Sequence, residues 1–363
     1  MLPGWQKLVA PHVKAGRLVA IGVVQEQHAD RARLYQQWRQ LGWPIFVDSL
    51  NLLGHKVVPI PVGIGPNGTV LAPRLRGRGL DAFLDQTDKP VKAHAALKWT
   101  KGDKAFFDGE WDRAVKEYGK QARKDPRLRF RLGVALRARF ESDARKPGDG
   151  QAAVDAWTAA LAAVPTQYIW RRRIEQYGPR LEKPYNFYGW IEQARAEITA
   201  RGETPLPLRI EPRGAELMDR SSVAAGPPED PDPKDQVPKD DKNRVTIETI
   251  VAPSVVKSKG ARRARVRVVF DVRNALWNNE SQPLSLHVRP PKSASVGEGQ
   301  FTHGQAQQPE TKERRVLEFE VTLAAGATGP VQIPVYALYS VCDAEDGVCL
   351  YLRRDFTVSI PTK

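Results

Sequence analysis

Cys342 and Cys349 are the only cysteines in the chain, separated by six residues in YSVCDAEDGVCLY near the C-terminal end. Such a pair can exchange disulfides with a partner, form a static staple, or remain as two buried thiols. The intervening DAEDGV centres on an Asp-Gly turn, so the cysteines should face each other across a hairpin, within disulfide reach. As a staple the bond would contribute little: closing a loop of about eight residues is worth roughly 2.5 kcal/mol, less than a longer loop would give. Asp343, Glu345 and Asp346 disfavour a thiolate nearby. That suits a disulfide attacked by a partner better than a cysteine that attacks.

Other chemistry is sparse. His12, His28, His55, His94, His287 and His303 are scattered, and no His/Cys spacing resembles a zinc site. Gln25–His28 (QEQH) follows an apolar run and reads as the entry to a helix rather than an acid–base pair. GIGPNG lacks the lysine and the strand–helix context of a phosphate loop. The sequence therefore predicts no cofactor and no metal, and contains no nucleophile–base constellation. With 56 Lys and Arg against 42 Asp and Glu, the net charge is +14. A basic chain can meet nucleic acid, an anionic surface or an acidic protein, or can simply be rich in arginine. No apolar run approaches the roughly 20 residues of a membrane helix. The first residues do not read as a signal peptide, which points to the cytoplasm for the sequence as written.

The elements that must position the cysteine pair fall into three regions. Residues 1–90 have an α/β rhythm. WQKLVAPHV is a short helix, Arg17–Glu26 an apolar run expected as a strand buried on both faces, and HADRARLYQQWRQLGW an amphipathic helix. PIFVDS follows as a strand. KVVPIPVGIGPNGTVLA then gives two strands around a Pro66-Asn67-Gly68 turn, and RGLDAFLDQ a helix. This order, with Pro59 before the late strand, resembles the thioredoxin family over about 75 residues. The resemblance implies that Pro59 is the family's cis-proline. The family's first strand and its Cys-x-x-Cys, expected near Leu2–Trp5, are absent. A thiolate at that helix start is what the family's chemistry needs. The region therefore reads as an incomplete, non-catalytic relative, or as one whose start lies upstream; in the second case the protein would be extracytoplasmic.

Residues 91–204 are helical. Gly102, Gly109, Trp111, Ala114, Tyr118 and Pro126 fall at the spacing of a tetratricopeptide repeat, with Pro126 ending its second helix. Gly133, Ala153, Trp157, Ala160 and Pro165 give a second unit, interrupted by a loop, ESDARKPGDG. Gln167–Trp190 then concentrates aromatics and arginines. Trp170, Arg171, Arg172 and Arg173 could form a partner-binding surface, possible for nucleic acid, or the aromatics could plug the end of the helical stack.

Residues 205–363 read as a β-sandwich. LPLRIEPRGAEL is its first strand. Ser221–Asn243, rich in Pro and Asp, is expected to be a disordered loop. Six further strands follow, with alternation clearest in RARVRVVFDV, LEFEVTL and LRRDFTVSI. ALWNNESQPLSLHVRPP, the strand order and the final hairpin resemble the immunoglobulin-like N-terminal domain of the thiol:disulfide interchange protein DsbD. That resemblance implies that Cys342 and Cys349 are the catalytic pair, exchanging disulfides with a thioredoxin-like protein partner. The family commonly has five residues between the cysteines and prolines after the second. The multidomain reading that follows is an α/β thioredoxin-like part, tetratricopeptide-like helices and an immunoglobulin-like β-sandwich. Its alternatives are a non-enzymatic scaffold with a structural disulfide and a basic nucleic-acid-binding module.

Overall fold

The computed structural model describes residues 2–86, 99–180, 188–212, 230–255, 262–345 and 347–362. It is a mixed α/β arrangement with several antiparallel sheets and a β-rich C-terminal region. The chain divides into two units. One comprises Met1–Ala144, Ala159–Arg172 and Phe187–Pro212; the other comprises Arg145–Thr158, Arg173–Asn186 and Arg213–Lys363. The helical stretch thus contributes residues to both.

In the first unit, helix α1 (Leu2–Lys14) precedes strand β1 (Gly22–Val24), helix α2 (Ala29–Arg39) and strand β2 (Ile45–Val47). β1 and β2 pair in parallel, from Gly22 with Ile45 to Val24 with Val47. A helical crossover between parallel strands is what the sequence pattern of this stretch requires. The apolar run is not buried on both faces as expected. Val19, Ile21 and Val23 are exposed, as is Phe46 of β2, because the alternating side chains of a strand leave one set facing solvent. Strands β3 (Gly63–Ile64) and β4 (Val70–Ala72) form a hairpin around Asn67, whose side chain accepts the Thr69 N–H, and Gly68, at φ 81°. Helix α3 (Leu80–Leu84) follows.

Helices α4 (Lys101–Phe107), α5 (Trp111–Gly119), α6 (Pro126–Phe140), α7 (Asp149–Ala163), α8 (Tyr168–Glu175) and α9 (Trp190–Ala200) make the helical stretch. Thr100 and Asp103 close a reciprocal capping box at the start of α4. Asp103 also accepts from Tyr118 Oη at 2.9 Å and from Arg131. A Cβ built on Gly102 would lie 2.6 Å from the Tyr118 ring, so α4 and α5 approach where only glycine fits. Pro126 does not end a helix. It opens α6, behind Asp125, whose carboxylate caps the Arg127 N–H, because proline at a first helical position sacrifices no intrahelical bond. Elsewhere in this unit α2 and α9 share a core of Leu34, Trp38, Ile191, Ala194 and Ile198, with Trp38 stacked on Trp190.

The second unit holds two antiparallel sheets. One runs β5 (Val245–Pro253), β6 (Arg263–Val272), β12 (Arg315–Leu323), β9 (Ala294–Val296). The other runs β10 (Gln300–Thr302), β8 (Ser285–Val288), β13 (Val331–Asp343), β7 (Ala275–Asn278), β11 (Glu310–Thr311), with β14 (Cys349–Ile360) on the remaining side of β13. Residues from both build one core, centred on Val266, Val268, Phe270, Trp277, Phe319 and Tyr339. The alternation in RARVRVVFDV is expressed directly. Ala264, Val266, Val268 and Phe270 enter the core, while Arg265 and Arg267 meet Glu318 of the paired strand.

Two expectations change here. LPLRIEP forms no strand among its described residues, because α2 side chains take its backbone: Gln37 accepts the Leu206 N–H and Asp30 the Arg209 N–H. Of the expected disordered loop, residues 221–229 lie outside the described residues, but Asp230–Asn243 is held in place. Asp232 is bonded to Arg353, Asp240 accepts from Tyr339, and Asp230 accepts from Tyr336. Composition reads these aspartates as solvated; buried arginine and tyrosine partners on β13 and β14 make them anchors instead.

Candidate functional site at the disulfide hairpin

β13 and β14 pair without a register shift from Val331 and Ile360 to Cys342 and Cys349. Beyond the cysteines, the Asp343 N–H donates to Val348 O at 2.9 Å. Cys342 and Cys349 therefore occupy a non-hydrogen-bonded pair, the kind in which cross-strand side chains approach most closely. Their sulfurs are bonded at 2.01 Å, with Cα atoms 3.8 Å apart. Val331, Ile333, Val335, Ala337, Tyr339 and Val341 of β13 fill the core. By strand alternation Cys342 belongs to the opposite face. It is nonetheless only 3% exposed, whereas Cys349, beside the half-exposed Val348, is open to solvent.

The acidic surroundings differ from those the hairpin sequence suggests. Asp346 lies outside the described residues. The Asp343 carboxylate accepts the Glu345 N–H and pairs with Arg244 at 3.0 Å. Those contacts, the backbone bond foremost, hold its carboxyl below the usual carboxylate range. Its charge is thus already engaged by a guanidinium.

The carboxylate that does reach the sulfurs comes from Glu310. Its oxygen and the two Sγ atoms lie within 4.8 Å of one another. Strand register explains this. Cys342 opposes Leu276 on β7, Asn278 lies two residues along the same face, and Glu310 on β11 opposes Asn278. Glu310 is 32 residues upstream of Cys342 in sequence, so no local spacing could reveal it. The only signal was the pairing of two short strands.

The other residues singled out by sequence lie elsewhere. The Val58–Pro59 peptide is cis, in the first unit. Trp170, Arg171, Arg172 and Arg173 do not form an exposed patch. Trp170 is buried and stacked on Phe130 at 5.2 Å, Arg173 is buried, and Arg171 donates to Pro165 O. The helical spacing of Trp170, Arg173 and Ile174 turns all three inward. Trp157 stacks on Tyr177, while Tyr185 and Phe187 lie outside the described residues. In the QEQH segment, Gln25 donates to Asp48, Glu26 accepts from Tyr188, and His28 lies 3.7 Å from Glu141. The first contact ties the ends of β1 and β2 together, and the other two tie the segment to the helical residues around Tyr188 and Glu141.

A polar stack occupies the β13 face away from the core. The guanidinium groups of Arg289 and Arg353 lie 4.7 and 4.0 Å from the centre of the Tyr336 ring, and His287 stacks on it at 4.6 Å. Ser285 Oγ lies 3.0 Å from His287 Nε2. Burial pushes the His287 imidazole down to about 4.

No family model and no curated protein matches the sequence. Among solved structures, the chain is weakly similar to the yeast GGA1 GAE domain, at 12% identity and a TM-score of 0.21, over 33% of this chain and 93% of that one. It is also weakly similar to a FixG-related protein from Vibrio parahaemolyticus, at 9% identity and a TM-score of 0.16, over 33% of this chain and 98% of that one. Among the described residues, no helix is long and apolar enough to cross a membrane.

Proposed function

We propose that the C-terminal unit exchanges its Cys342–Cys349 disulfide with a dithiol protein, and that Cys349 is the sulfur attacked. The observation that carries this reading is the asymmetry of the pair: one sulfur faces solvent at the end of a hairpin, and the other is enclosed. A partner thiolate attacks Cys349 Sγ, the Cys349–Cys342 bond breaks, and the electron pair leaves on Cys342 Sγ. The partner's second thiolate then attacks its own sulfur in the mixed disulfide and releases Cys349 as a thiolate. The partner loses two electrons and this protein gains them; two protons taken up complete the dithiol.

The finer architecture belongs to the same proposal. Residues 1–90 are taken as a thioredoxin-like domain without its cysteines, residues 91–204 as tetratricopeptide-like helices, and residues 205–363 as an immunoglobulin-like sandwich of the DsbD N-terminal kind. The parallel β1–α2–β2 unit and the close Gly102–Tyr118 approach support the first two assignments. In this reading those parts hold the partner. The nucleic-acid alternative loses its stacking platform with Trp170 buried.

The test is reduction by a thioredoxin-type dithiol protein whose resolving cysteine is replaced by serine. We expect a trapped mixed disulfide that maps by mass to Cys349. Reduction by a small-molecule dithiol with none by the protein dithiol would sink the exchange reading and leave a structural disulfide.

A further inference from the structure

Two sulfurs and a carboxylate that converge from β11, β13 and β14 make a donor set as well as a redox pair. We propose that, once the disulfide is reduced, Cys342, Cys349 and Glu310 bind one zinc-type divalent cation. Thiolate sulfur and carboxylate oxygen are both ligands of such an ion. Three protein donors with a water in the fourth position form a tetrahedral site. A metal–sulfur distance of about 2.3 Å in that geometry sets the sulfurs about 3.8 Å apart. Cys349 is exposed and Cys342 enclosed, so in this proposal Cys342 is the fixed donor and Cys349 the one that moves to meet the ion.

The third donor is already in range. The Glu310 oxygen lies within 4.8 Å of both sulfurs, on the face that carries Leu276 and Asn278. The donors disfavour a hard ion such as calcium or magnesium, which takes oxygen ligands, since two of the three donors here are thiolate sulfurs. The charge also fits. Two thiolates and a carboxylate crowded together repel one another, and a dication offsets most of that charge, while Asp343 is neutralised separately by Arg244.

The chemistry balances in two steps. A two-electron dithiol reductant first converts the disulfide to two thiols and becomes a disulfide itself. The cation then displaces two protons, with no change of oxidation state. A bound ion masks both sulfurs, so the loaded hairpin reoxidises more slowly than the free dithiol.

This goes beyond the exchange reading, since it needs only that the disulfide be reducible. The full chain is reduced with a phosphine, desalted without oxygen, and titrated with cobalt(II), then with zinc(II) against a chromogenic chelator. We expect one ion per chain, a thiolate-to-cobalt charge-transfer band, and loss of both on reoxidation or in Cys349→Ser. Glu310→Gln, an exposed substitution that leaves the disulfide intact, should weaken binding about tenfold or more. Absence of the charge-transfer band, equal binding by the oxidised protein, or unchanged affinity in Glu310→Gln would each overturn the proposal. Metal binding lost with protein-dithiol reduction intact removes this inference alone, and the converse removes the exchange reading alone.

Discussion

Cys342 and Cys349 face each other across β13 and β14, yet only Cys349 reaches solvent. A symmetric hairpin tip would present both sulfurs to a partner. Here the chain covers one, which makes the two sulfurs chemically unequal although their sequence surroundings look alike.

That inequality is measurable in the reduced protein. Alkylation followed by peptide mass mapping should modify Cys349 about tenfold or more faster than Cys342, because thiol reactivity follows access as well as thiolate fraction. Equal rates would mean that the cover over Cys342 opens freely, and the assignment of Cys349 as the attacked sulfur would fail.

Gly102 should not tolerate a side chain. Its Cβ would sit 2.6 Å from a Tyr118 ring that is buried and tied to Asp103. The ring therefore cannot simply rotate away. Gly102→Ala should destabilise the helical part by about 1–3 kcal/mol, the usual range for overpacking. Urea denaturation followed by helical circular dichroism reads this out; a shift below a few tenths would contradict the packing.

Asp232 should matter although it lies in a segment that composition reads as disordered. It accepts the backbone N–H of Gln236 at 2.7 Å and binds Arg353 at 2.8 Å, and Arg353 is only 1% exposed. Removing one partner of a buried pair leaves an undercompensated charge. Asp235 and Asp355 still hold Arg353, so Asp232→Ala should cost about 1.5–2 kcal/mol, the loss of a charged hydrogen bond rather than of the whole pair. A thermal melt unchanged by the substitution would show that the segment is not an anchor.

His287 predicts an acid-sensitive stability. Its folded pKa of about 4 lies below the ordinary value near 6.5. Between those values the unfolded chain takes up a proton that the folded chain refuses, so stability falls as pH drops from about 6.5 to 4 and levels below. Asp230 and Arg289 beside it are partly open to solvent, and with that screening the loss amounts to about 2 kcal/mol. The measurement is the difference in pH dependence between the native protein and His287→Gln. Identical slopes through pH 5 would remove His287 as the cause.

Local pattern accounted for much of the C-terminal unit. The six strands expected after residue 243 all form, because alternation in RARVRVVFDV and LEFEVTL reports directly which side chains enter the core. The expectation that the cysteines face each other across a hairpin is likewise met by the register of β13 and β14. The short strands β7, β9, β10 and β11 were not legible. With two to four residues each, they carry too little pattern, and their pairing depends on longer neighbours.

What sequence alone determined is therefore local: the cysteine pair, its placement across a hairpin, and the alternating faces of the long strands. Only tertiary structure decided the rest. It buried Trp170 and Arg173 through helical spacing, gave Asp230, Asp232 and Asp240 their partners on β13 and β14, and brought Glu310 to the sulfurs through the register of β7 and β11. These relationships join residues tens to more than a hundred positions apart. Side-chain burial and charge pairing depend on what the fold brings alongside, and one-residue changes in strand register reverse them.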